Sequence, residues 1–230
     1  MRAPGIRLPI SIRTMRFELN LWHHVYMNTV PLFPLSRALF PGGVLHLRIF
    51  EVRYLEMIRQ CLDTHAEFGV VTLTGGGEVR LPTRQETFVE AGTLARINEA
   101  QDIMPGLIQI QCSGTHRFKS EKPSQKPNGL WEAEITLLPA EQTVTITSDL
   151  QACADALGKV IADLQRDGVP PEAMPISPPF MLNDTAWVAN RWAELLPLPP
   201  TQKALLLMEN DPVQRLDLLR EVLLVKGLIK

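Results

Sequence analysis

The chain has little cysteine: three residues, Cys61, Cys112 and Cys153, widely spaced and with no C-x-x-C. An odd, scattered set gives no disulfide framework and no thiolate metal site. The apolar surroundings of each predict buried, reduced thiols in a cytoplasmic protein. Long apolar runs are missing too. No window approaches the ~18 residues of a membrane-spanning helix, so no membrane association is expected. The leucines of "KALLLMEN" and "REVLLVKGLIK" are interrupted by charges every few positions and predict packed helices. Basic excess is confined to one end. Residues 1–28 carry Arg2, Arg7, Arg13 and Arg16 against Glu18, which leaves −5 of the net −2 charge on residues 29–230. A nucleic-acid module carries a basic footprint on its folded part, so DNA and RNA are not expected partners. The same first 28 residues lack the apolar stretch of a secretory signal and are expected to be a disordered extension or an over-long start.

Catalytic signatures are absent as well. "TGGGEVR" has three glycines but no Lys-Ser/Thr behind them, so it cannot place a lysine on nucleotide phosphates. "QCSGTH" lacks the first glycine of a nucleophile elbow. His23, His24, His46, His65 and His116 are scattered without metal-ligand spacing. No catalytic residue, cofactor or metal is expected.

What the chain does have is an ordinary globular composition, 45 % apolar and 21 % charged over 230 residues, enough for one large domain or two small ones. "TVPLF" reads as a short strand and Pro41-Gly42 as the centre of a type II turn. "VLHLRI" alternates as a half-buried strand. "EVRYLEMIRQCLDTH" then changes to helical period, with Val52, Leu55, Ile58 and Leu62 predicted on the buried face and Arg53, Glu56, Arg59 and Asp63 pointing elsewhere. "EFGVVTLT" is an interior strand, and "GGGEVRLPTRQET" a loop. Met104-Pro105-Gly106 turns a hairpin between two further strands. Residues 119–130 read as a disordered or long hairpin connection before the strand "WEAEITLLP".

Near residue 145 the pattern becomes helical for good. Ser148 and Gln151 suggest a capping box for a helix whose stripe is Leu150, Cys153, Leu157, Val160, Ile161 and Leu164. A Pro-rich linker follows. Three more helices are predicted, one capped by Asn183 or Asp184 and the last capped by Asp211 with Pro212 in its first turn. The fold class is therefore α+β: about six strands plus one helix over residues 29–145, then a helical bundle over 146–230. Glu51 opens a helix directly after a strand, where the dipole favours a carboxylate. It is expected to pair with an arginine, Arg117 first and Arg53 second, locking helix to sheet.

"PLFPLSRALFPGGVLHLRIFEVRYLEMIRQCL", then "FGVV", "GTLARI", "GTHRF" and the helical "ELLPLPPTQKALLLMENDPVQRLDLL", resemble in order and spacing the N-terminal (substrate-binding) domain of Lon proteases and its stand-alone relatives, over roughly residues 29–225. The resemblance implies a PUA-like pseudo-barrel for the β-rich half, and polypeptide recognition with some self-association. It carries over neither ATP hydrolysis nor peptide cleavage, because the Walker lysine and the Ser-Lys protease segment of full-length Lon have no counterpart. A stand-alone, non-enzymatic member is expected, which binds unfolded or exposed polypeptide segments and acts as adaptor or regulator of a protease. Candidate contact residues are Met104, Pro105 and Leu107 at the hairpin tip, Leu130 and Trp131 after the long loop, and Phe180 and Met181 in the linker, together with a groove between the two halves. The alternatives are a nucleic-acid-binding pseudo-barrel and an ATP-independent peptidase. For the last helix, apolar on more than one side, a homodimer competes with ordinary core packing.

Overall fold

The computed structural model describes residues 28–78, 85–170 and 173–230. The expected N-terminal extension and most of the glycine-rich loop after residue 78 lie outside the described residues. The elements run β1 (Asn28–Leu35), β2 (Val44–Ile49), α1 (Val52–Thr64), β3 (Phe68–Gly75), β4 (Thr87–Met104), β5 (Leu107–Gln125), β6 (Trp131–Leu137), α2 (Gln151–Arg166), α3 (Thr185–Leu195), α4 (Pro200–Met208) and α5 (Pro212–Val225). The described residues are mixed α+β, with six strands in one sheet and five helices.

The sheet order is β2-β5-β4-β3-β1-β6, and all its pairs are antiparallel except β1–β3. β5 is long enough to serve two neighbours along one edge. β2 pairs with its Ile108–Ser113 stretch and β6 with Phe118–Gln125. Because β6 also pairs with β1, the strands β5, β4, β3, β1 and β6 close on themselves in a ring. Local chemistry sets the corners. Gly42 has φ 74°, the left-handed value that a type II turn needs at its third position, and Gly43 N–H donates to the Phe40 carbonyl at 2.9 Å. At Gly92 the Phe118 ring crosses so closely that a Cβ would lie 2.5 Å from Phe118 Cζ.

Three apolar clusters cover the sheet. One packs α1 (Tyr54, Met57, Ile58, Cys61) on Phe33, Phe68, Val70 and Ile110. A second joins Leu32, Val71, Phe118, Trp131 and Ile135. The third unites α2, α3 and α5 with Phe40, Ala38 and Ala91, so residues of the β-rich half enter the helical core. α2, α3 and α5 touch one another, whereas α4 lies on β4 and reaches β3 and β5. α4 therefore bridges helices and sheet: its Leu206 and Leu207 share one buried cluster with α2, α3 and α5, so the helices after residue 146 are not a bundle separate from the sheet.

Three further expectations are corrected or narrowed. The predicted face of α1 holds in its middle and fails at its ends: Leu55 and Ile58 are buried, but Val52 is 68 % exposed and Leu62 37 %, while Arg53 is buried. The buried Arg53 guanidinium is paired with the Glu86 carboxylate at 2.7 Å. Of the two readings of residues 119–130, disordered or long hairpin connection, the long hairpin is the one found. β5 continues to Gln125 and a tight turn closes with Gly129 N–H on the Lys126 carbonyl at 2.8 Å. Its residues read as loop because they stand in solvent on a polar hairpin arm, held by cross-strand pairs such as Lys122–Glu134 at 2.9 Å. Ser148 does not cap α2. The N-cap position is Leu150, without a side-chain bond, because this residue is drawn into the core and delays the helix. Asp184 and Asp211 do accept from Ala186 N–H (3.1 Å) and Val213 N–H (2.9 Å).

Candidate functional site: a groove between α4 and the sheet

Four successive apolar residues, Leu205 to Met208, span more of a helix than one buried face can cover. In α4, Leu206 and Leu207 go inward; Leu205 stays 71 % exposed and Met208 is at the surface beside it. Together with Thr201 and Ala204 they form one wall of a groove of about 530 Å³. The opposite wall is the sheet: Phe88, Val89 and Ala91 of β4, with Thr74 of β3, Glu90 and Lys119 at the rim. Phe88 is buttressed by Trp131, edge-on at 5.2 Å between ring centroids. The groove thus offers a flexible thioether, an exposed leucine and a supported aromatic ring between charges of both signs.

Buried cations fix the distance between these walls. Arg117 leaves β5 and donates Nη1–H to the carbonyls of Leu207 (2.6 Å) and Glu209 (2.8 Å) at the end of α4. Its Nη2 reaches Pro139 O (3.1 Å) and Asn210 Oδ1 (3.3 Å). Its Nε lies 3.3 Å from Glu141, whose carboxylate also binds Arg215 of α5 and accepts from Asn190 Nδ2 of α3 at 2.7 Å. Burial lowers the Arg117 pKa, and the nearby Arg215 charge lowers it further. At the other end of α4, Lys203 donates to the Glu194 carbonyl at 3.1 Å, while the Glu194 side chain accepts from Phe40 N–H at 2.8 Å. Burial raises the Glu194 carboxyl above its usual range, opposed by Arg191.

Glu51 does not pair with Arg117. It accepts from Arg53 Nε at 3.1 Å, two residues along the chain. Arg53 in turn grips Glu86 (2.7 Å) and the Gly129 carbonyl (2.9 Å), and Trp131 Nε1 donates to the same Glu86 at 2.6 Å. Two separate locks replace the one expected: α1 to β4 and the β5–β6 turn through Arg53, and sheet to helices through Arg117.

None of the seven residues singled out for polypeptide contact lines the groove. Met104 and Pro105 are exposed at the hairpin tip and Leu107 is half-buried. Met181 is exposed, and Phe180 is half-buried against the helical core. Leu130 and Trp131 are core residues, closed to a partner, because the turn before them folds them under the sheet. The groove residues Phe88, Leu205 and Met208 were not named from the sequence, although the groove lies between residues 29–145 and 146–230, the two halves between which a groove was expected.

Among the described residues no helix is long and apolar enough to cross a membrane, and no three His, Cys, Asp or Glu side chains gather as metal ligands would. A Lon N-terminal domain protein from Xanthomonas campestris is similar in structure, with 29 % sequence identity and a TM-score of 0.64 over 84 % of this chain and 98 % of that one. The N-terminal domain of Mycobacterium avium complex Lon protease shares the fold at 18 % identity and a TM-score of 0.54, over 84 % of this chain and 97 % of that one. The family model of the ATP-dependent protease La (LON) substrate-binding domain matches residues 29–225. With nearly the whole described chain inside that match, the protein belongs to the LON substrate-binding domain family.

Proposed function

We propose that the chain is a non-catalytic module that holds exposed apolar segments of other polypeptides in the α4–sheet groove, as an adaptor or regulator of a protease. Membership of a substrate-binding family supports the polypeptide-binding part. The observation that carries the choice of surface is the exposure of Leu205 and Met208 opposite Phe88 in a groove of 530 Å³. A patch of this kind on a soluble domain marks an interaction site, and Met adapts to many apolar partners. The closed ring of five strands supports the PUA-like description of the β-rich half.

The test is binding of reduced, carboxymethylated lactalbumin, a permanently unfolded chain, by fluorescence anisotropy. Leu205→Asp with Met208→Asp removes two exposed apolar contacts, each worth about 1.5–3 kcal/mol when fully buried by a ligand. Affinity should fall at least about tenfold with an unchanged melting temperature. Equal affinity in wild type and variant would remove the groove from consideration.

A further inference from the structure

The strand ring is closed at one end and split at the other. β1 has β6 beside Asn28–Leu32 and β3 beside Leu32–Leu35, so past Leu32 it has a strand on one side only. β2 has only β5. Among the described residues no backbone hydrogen bond joins β1 to β2. Between them lies a cavity of about 250 Å³ touching Phe33 and Leu35 of β1 and Leu47 and Ile49 of β2, with Tyr54 beneath. Phe50, 55 % exposed, stands at its mouth. Neighbouring Val52 adds further exposed apolar surface.

We propose that this seam between β1 and β2 accepts an extended segment of another polypeptide, which adds as a strand to the free edge of β2. An antiparallel edge strand turns the N–H and C=O of every second residue away from its single partner. A second extended backbone satisfies such a row; a helix, whose backbone groups are already paired, does not. The cavity is smaller than the ~300–1,000 Å³ of small-molecule sites, and suits one or two side chains delivered from one face of a strand. Side chains of a strand alternate between faces, so the preferred client segment alternates apolar and polar residues, its apolar side chain entering between Phe33, Leu47 and Phe50. The cavity's polar lining carries both signs: Glu78, which accepts from Ser36 N–H at 2.7 Å, and Glu51, bound by Arg53, stand with His46 and Arg48 of β2. The inference rests on the chain being a polypeptide binder, but not on the α4 groove.

Hydrogen–deuterium exchange of the full chain, with and without carboxymethylated lactalbumin, tests it. Amides of residues 44–49 should exchange at least about tenfold more slowly when the probe is bound. Phe50→Ser, at an exposed position, should abolish that protection without changing the melting temperature. The Leu205→Asp/Met208→Asp variant should keep it. If the probe binds and protection is confined to β4 and α4, the seam is not a site and the groove reading stands. Should β2 be protected without probe in proportion to protein concentration, a second copy fills the seam and the proposal fails. A probe that does not bind at all overturns the polypeptide-binding reading and this inference with it.

Discussion

Replacing Arg117 with methionine removes the cation that ties β5 to the end of α4 while keeping most of the volume. The variant loses four acceptors, the Leu207, Glu209 and Pro139 carbonyls and Asn210 Oδ1, and the contact with Glu141 at 3.3 Å. Breaking a buried ion pair by removing one partner costs about 3–5 kcal/mol. Two features place this site near the lower bound. Glu141 keeps Arg215 and Asn190 as partners, so its charge is not orphaned. Arg117 is also repelled by Arg215, and its removal relieves that repulsion. A cost of about 3 kcal/mol, at about 2–4 °C per kcal/mol for a chain of this size, lowers the melting temperature by roughly 6–12 °C. Circular dichroism and tryptophan fluorescence should report the same transition. Arg117→Lys keeps a charge but not the planar fork that serves several acceptors, and should recover only part of the loss. Because the contact holds α4 against the sheet, lactalbumin binding in the groove should weaken in Arg117→Met at temperatures where the variant is still folded. A shift under about 2 °C would refute the reasoning that this cation bears much of the connection between sheet and helices.

Glu86→Gln leaves Arg53 with Glu51 as its carboxylate partner among the described residues and should cost about 1.5–3 kcal/mol, the range for hydrogen bonds to charged groups, read from chemical denaturation. Gly92→Ala would bring a Cβ to 2.5 Å from both Phe118 Cζ and the Val70 carbonyl oxygen; an overpacking loss of about 1–3 kcal/mol should lower the urea midpoint with an unchanged slope. The three thiols make stability fall in alkali. Burial raises Cys61 and Cys153 from 9.0 to about 11 and Cys112 to about 12. Below pH 9 both states keep the protons and this contribution is fully present; from pH 9 toward 11 only the unfolded chain ionises, so stability is lost as pH rises, by about 1.4 kcal/mol per thiol per pH unit. Between pH 9 and 10, below the range in which buried Tyr54 adds to the decline, Cys112→Ala should flatten it by about a third in urea titrations at stepped pH, and a slope unchanged by the substitution would count against it. In the native state at pH 8 none of the three should react with a disulfide reagent until the protein unfolds.

Much of the fold could be read from neighbouring residues because neighbours decide it. Pro41-Gly42 makes its turn from two backbone preferences, Asp211-Pro212 starts α5 through one side chain and one missing N–H, and the alternation in "VLHLRI" is that of a strand half covered. At 119–130 the sequence left disorder and a long hairpin open, for the opposite reason. The strand there is held by a partner twelve residues away, Glu134 for Lys122, and not by any apolar period of its own. Family likeness could also be read early, since it depends on the order of such local signatures. The contact surface could not, because whether Leu205 is covered depends on which face of α4 meets β4.

The sequence by itself determined the order of most strands and helices, that sheet precedes helices, and that the chain resembles a substrate-binding domain. Only the tertiary structure decided which charges meet. Arg53 finds Glu86 thirty-three positions away and Arg117 finds carbonyls about ninety away. Such partners are chosen by the path of the whole chain, since a charge taken out of water is satisfied by whatever the fold brings within hydrogen-bonding reach. The groove and the seam have the same origin: each is a place where packing two elements leaves apolar side chains or strand edges uncovered, a property that belongs to the pair and to neither segment alone.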